Sequence, residues 1–88
     1  MNTLWLLLAR YEGEAVVSAE KIAADLFEVG REGYRGWLRK VETGEIPLPL
    51  VRMERSQKGA KKIDLRDLAA FLDERRAAAQ KELRQLRA

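Results

Sequence analysis

Eighty-eight residues make one domain with a single modest core, and the balance of 47% hydrophobic to 35% charged residues describes a globular chain. Cysteine and histidine are both absent, which excludes disulfides, thiolate sites, His/Cys zinc sites and histidine-based triads. The remaining carboxylates, lysines and hydroxyls do not cluster, so neither an enzyme nor a cofactor is expected. The net charge of +3 is unevenly placed: −3 over residues 1–30, +5 over 31–62 and +1 over 63–88. A polyanion would dock on the middle third, although charge skew alone also describes a solvated face.

Thr3 is a suitable cap for a first helix over Leu4–Glu12, stopped by Gly13. Leu4, Leu7, Leu8 and Tyr11 repeat at i, i+3, i+4, i+7 and form a buried face. Trp5 lies off that face, as a second contact surface or as part of a more broadly buried helix. A strand is the minor alternative. The apolar run Leu4–Ala9 is too short to span a bilayer, which takes about 20 residues. It also lacks the flanks of a signal peptide. No membrane association is expected, and a cytoplasmic location fits the absence of cysteine.

Val16 and Val17 are extended, and Ser18 caps a second helix with Glu20 in its first turn. Val17 and Ile22 occupy the N′ and N4 positions of a hydrophobic staple. Ile22, Ala23, Leu26 and Phe27 face the core, and Gly30 marks the turn. A third helix is expected over Glu32–Thr43, with Tyr34, Trp37, Leu38 and Val41 on its core stripe. Arg31, Arg35 and Arg39, spaced four apart, lie on another face. Gly33 and Gly36 each weaken this helix by roughly 1 kcal/mol relative to alanine. Two readings exist for Gly36: close approach of the backbone to a phosphate, or close packing against another helix. Gly44 ends the helix.

Pro47 and Pro49 forbid a helix and suit an edge strand. Strands at about Leu50–Arg55 and Lys61–Ile63 form a hairpin with its tip around Gly59. Ile63, Asp64 and Leu68 then repeat the staple and cap, opening a last helix from Leu65 to Arg87. Leu65, Leu72, Ala79 and Leu86 are seven apart, with Ala69, Arg76 and Leu83 between them. The first half, with Leu68, Phe71 and Leu72, belongs to the core. The second half is a marginal helix that wants a partner.

The expected fold is therefore mainly α with a small β-hairpin wing: a winged helix-turn-helix carrying a long C-terminal helix. Residues 1–88 form one DNA-binding domain, with 1–76 as the core and 77–88 as an extension suited to dimerisation. A basic helix followed by a basic hairpin is how this architecture meets a DNA groove and its phosphates. The candidate DNA-binding residues are Arg31, Arg35, Arg39, Lys40, Arg52, Arg55, Ser56, Gln57, Lys58, Lys61 and Lys62. The arginines of the helix suit base edges, and the hairpin lysines suit phosphates.

The order of these elements resembles the MerR/excisionase-like winged helix-turn-helix, with Arg39–Ile46 similar to the end of its recognition helix. Lys61–Leu68 is similar to the return strand of its wing and the helix after it. A closer resemblance covers most of the chain. Thr3-Leu4…Leu7-Leu8-Ala9…Tyr11 is similar to the pyocin activator (PrtN-type) family. So are Gly44-Glu45-Ile46…Leu48-Pro49-Leu50-Val51-Arg52-Met53-Glu54…Ser56-Gln57-Lys58 and Asp67-Leu68-Ala69…Asp73…Arg75-Arg76-Ala77-Ala78-Ala79-Gln80-Lys81. The resemblance implies a small transcriptional activator that binds promoter DNA of phage-tail-like bacteriocin operons after DNA damage. The expected partners are double-stranded promoter DNA, RNA polymerase through the acidic N-terminal third or Trp5, and a second copy in a weak or DNA-assisted homodimer. Two alternatives stand beside this: an excisionase-like architectural DNA-binding protein, and a phage-derived interaction module or inhibitor that keeps the fold.

Overall fold

The computed structural model describes residues 2–55 and 59–88. Its elements run α1 (Thr3–Arg10), β1 (Val16–Ser18), α2 (Ala19–Phe27), α3 (Arg31–Glu42), β2 (Val51–Arg52), β3 (Lys61–Asp64) and α4 (Leu65–Arg87). The expected architecture, mainly helical with a small antiparallel sheet and a long last helix, is the one observed. A third strand joins the expected hairpin. β3 is central, in the order β1-β3-β2, with Val17 opposite Ile63 and Arg52 opposite Lys61. Three residues are too few for β1 to show a period of two in sequence. Its pairing is set by Val17, buried at the core against Ile63.

Local chemistry accounts for the element ends, with some shifts from expectation. Asn2, not Thr3, caps α1: its side-chain oxygen accepts from the Trp5 amide at 3.1 Å. Thr3 is thereby released to donate its hydroxyl to Asp73 of α4 at 2.6 Å, tying the two helices together. The stop after α1 is shared, with Glu12 and Gly13 both at positive φ and the Gly13 amide bonded to the Leu8 carbonyl. Ser18 caps α2 as expected. The left-handed residue that ends α2 is Glu28, at φ 54°, rather than a glycine; Gly30 instead occupies the N-cap of α3 in extended conformation. Gly44, at φ +85°, follows α3 in the conformation that glycine adopts without strain.

Asp64 caps α4 and is, among the described residues, the one charged residue taken into the interior, 8% exposed. It accepts from the Arg66 amide at 2.8 Å and from the Arg66 guanidinium at 2.7 and 3.1 Å. Those bonds hold its carboxyl below the ordinary carboxylate range. Arg66 therefore serves the cap of α4.

The segment between α3 and β2 is extended without being a strand. Proline lacks the donor a ladder needs, and pairing begins only at Val51. The expected strand Leu50–Arg55 is shortened at both ends to two residues: Leu50 stays outside the ladder, and Met53–Arg55 form a bend after β2. The segment still contributes to the core, because Pro47 and Pro49 point outward while Leu48 is buried between them.

One core joins these parts. Leu7 and Tyr11 of α1, Ile22 and Ala23 of α2, Trp37 and Val41 of α3, Ile63 of β3 and Leu65 and Leu68 of α4 are all buried. Tyr11 donates its hydroxyl to Asp25 at 2.9 Å, and burial together with that bond pushes the phenol up to about 12. The core ends well before α4 does. From Asp73 onward every residue is exposed, and the molecule is 50 Å long against 28 and 21 Å across. Its radius of gyration of 14.5 Å exceeds the roughly 12 Å of a compact chain of this length. The second half of α4 projects.

Candidate nucleic-acid interface

Helices α2 and α3, joined by Glu28-Val29-Gly30, pack as a pair. The aromatic residues fix their mutual orientation: Phe27 meets Trp37 edge-on at 5.2 Å, Trp37 lies near Tyr34 at 6.0 Å, and Phe27 reaches Phe71 of α4 at 5.8 Å. Trp37 is buried and Tyr34 half-buried, so both serve the core stripe. The same 3.6-residue period that turns this stripe inward turns Arg35, Gly36, Arg39 and Lys40 outward. All four are exposed, as is Arg31 in the first turn. Among the described residues no ion pair engages Arg31, Arg35, Arg39 or Lys40. Arg39 and Lys40 also lie in the last turn, where positive charge suits the helix dipole.

The hairpin candidates are less uniform. Arg52 binds Glu42 of α3 at 3.4 Å, so it ties the edge strand to the end of that helix. Lys61 lies opposite Arg52, and Lys62 opposite Val51 and Ser18. Successive strand residues project to opposite faces. Lys61 therefore shares a sheet face with Arg52 and Ile63, and Lys62 the other face with Val51. Both lysines are only half exposed. Arg55 is exposed on the bend that follows β2. Ser56, Gln57 and Lys58, assigned to the tip of the wing, lie outside the described residues.

The sequence left open whether Gly36 packs closely against another helix. It does not: a Cβ built there would meet nothing within 4 Å. Gly33 has the close neighbour, with Val29 Cγ1 3.2 Å from the position of an added Cβ. A feature the linear pattern did not show is a groove of about 580 Å³ along this flank of α3, lined by Phe27, Val29, Gly33, Gly36, Trp37 and Lys40 among others. The two glycines were its only sequence signal. Among the described residues no group of acidic side chains is arranged to hold a metal ion, and no helix is long and apolar enough to cross a membrane.

The model of a family described as pyocin activator protein PrtN matches residues 3–79. That span runs from the first turn of α1 into the projecting part of α4. Neither the curated proteins nor the solved structures yield a match.

Proposed function

The chain belongs to the pyocin activator family, a family of regulators of pyocin genes, and on that premise we propose that it acts by binding promoter DNA. In this reading α3 enters the major groove, with Arg35 and Arg39 at the base edges. Arg31, Lys40, Arg52, Arg55, Ser56, Gln57, Lys58, Lys61 and Lys62 border the phosphates, and RNA polymerase is the second partner on the assembled promoter. The observation that carries the reading is the outward face of α3, where exposed arginines and a lysine have no ion pair to the rest of the described chain, on a helix whose end is tied to the hairpin by Glu42 and Arg52. Such a regulator works in the cytoplasm and needs no cofactor.

Selection from a pool of random duplexes tests this directly. The chain is expected to enrich one sequence and to bind it less tightly as salt rises. Neutralising about four to seven phosphates implies a loss of roughly 100-fold to several thousand-fold between 50 and 200 mM salt. RNA polymerase added to the selected duplex, extended by a promoter, should give a joint complex. Failure to enrich any sequence would remove the DNA-binding reading. Enrichment without a joint complex would remove the activating half.

The division of labour along α4 follows from its projection. Residues 1–76 form the DNA-binding body, and 77–88 supply a contact for a second copy. Leu83 and Leu86 are 49% and 83% exposed on a helix that has left its own core. They gain stability by pairing, which would also set two α3 helices on successive half-sites. Arg76 on the same stripe weakens that pairing, so the dimer should be loose or assembled on DNA. Sedimentation should show a chain ending at Arg76 to be monomeric under conditions where the full chain pairs on its operator. Equal stoichiometry and equal affinity for the two chains would exclude a dimer made by the tail.

A further inference from the structure

Gly36 has no role that the fold explains. A glycine within a 12-residue helix weakens it relative to alanine, and such a residue usually serves an unusual backbone angle or a close neighbour. Neither applies. Gly36 is not among the glycines at positive φ, and an added Cβ would point into open space. Gly33, three residues earlier, has its explanation in the contact with Val29.

The surroundings of Gly36 point outside the molecule. It lies on the face of α3 turned away from Trp37 and Val41, preceded by Arg35 and followed one turn later by Arg39 and Lys40, all exposed. It is therefore a gap in the side-chain layer, ringed by three cations, and the adjoining groove continues it along the helix. Long cationic side chains around a bare backbone let a helix lie close to a polyanion while the cations reach past its contact point. A side chain at position 36 would touch first. Carbon atoms do not approach closer than about 3.5–4.0 Å without repulsion, so even one methyl group would lift the axis of α3.

Resting on the DNA-binding reading above, we propose that Gly36 is the point of closest approach between α3 and the floor of the major groove. It is a positioning residue. Without a Cβ the helix settles deeply enough for Arg35 and Arg39 to reach base edges, where hydrogen bonds discriminate sequence, instead of stopping at phosphates, where they do not.

The test is Gly36→Ala, measured for thermal stability and for affinity toward the duplex that the wild-type chain selects and toward a scrambled duplex. The melting temperature should rise, by roughly 4–8 °C if the full helix-propensity gain is realised. Affinity for the selected duplex should fall roughly 5–150-fold, the loss that accompanies one base-reading contact. Affinity for the scrambled duplex should stay within about twofold. Gly36→Ser should lose specific binding in the same direction. A variant that melts higher and binds both duplexes like wild type would overturn the proposal, because the gap would then serve nothing. A variant that melts lower would overturn it too, by assigning the glycine to the fold. A wild-type chain that selects no duplex would instead strike the DNA-binding reading itself.

Discussion

Replacing Trp37 with alanine is expected to destabilise the domain by about 3–5 kcal/mol, the range for removing a large buried aromatic. A chain of 88 residues has roughly 4–13 kcal/mol of total stability, so this single change would remove much of it. The loss should be large because Trp37 packs on Phe27, the ring that links α3 through α2 to α4. Trp37 is 5% exposed, it meets Phe27 of α2 edge-on, and Phe27 in turn contacts Phe71 of α4. Removing the indole leaves a cavity where α2 and α3 are held at their mutual angle. Trp37→Phe should cost less than Trp37→Ala, because a phenyl ring refills part of the indole's volume and leaves a smaller cavity. The indole Nε1 is buried without a hydrogen-bond partner among the described residues, so its removal gives up no bond. Urea unfolding of the two variants measures both values. A Trp37→Ala chain with wild-type stability and no DNA binding would mean that the indole stacks on bases.

That burial was readable from residues alone, and so was much of the architecture. Tyr34, Trp37, Leu38 and Val41 repeat with a helical period, and no other assignment of α3 gives them a common face. Ser18 and Asp64 each precede an apolar run with a staple partner around them, and both are caps in the structure. The failures have physical causes too. Asn2 and Thr3 are adjacent, Asn is the stronger cap of the two, and Thr3 instead bonds a partner 70 positions away, Asp73. The left-handed position after α2 fell on Glu28, and Gly30, two residues later, stands in extended conformation at the start of α3. Val16 and Val17 are extended as expected, but a three-residue strand carries no signal of its pairing with β3. On the candidate interface, the spacing of Arg31, Arg35 and Arg39 foretold an exposed face. Only the structure shows that Arg52 is engaged by Glu42, whereas the opposite facing of neighbouring Lys61 and Lys62 already follows from the strand expected over Lys61–Ile63.

Arg35→Ala should separate reading of bases from attraction to phosphates more cleanly than any other change in α3. Arg39 and Lys40 lie in the last turn, so their removal would also disturb the helix dipole. Arg31 is at the first helical position, where positive charge opposes that dipole. Arg35 is in the middle of the helix, exposed and without an ion pair among the described residues. Its loss should therefore change stability by no more than about 0.5 kcal/mol, as for ordinary surface positions. Any larger effect on binding then belongs to the complex. If the guanidinium bonds a guanine edge, affinity for the selected duplex should drop by roughly 1–3 kcal/mol. On random duplexes only one charge is lost from the ion atmosphere, so the drop there should be several-fold smaller. Selection repeated with the variant should show relaxed preference at one base pair of the operator and unchanged preference elsewhere. Equal losses on selected and random DNA, with the preference intact at every position, would make Arg35 a phosphate contact and leave base reading to Arg39.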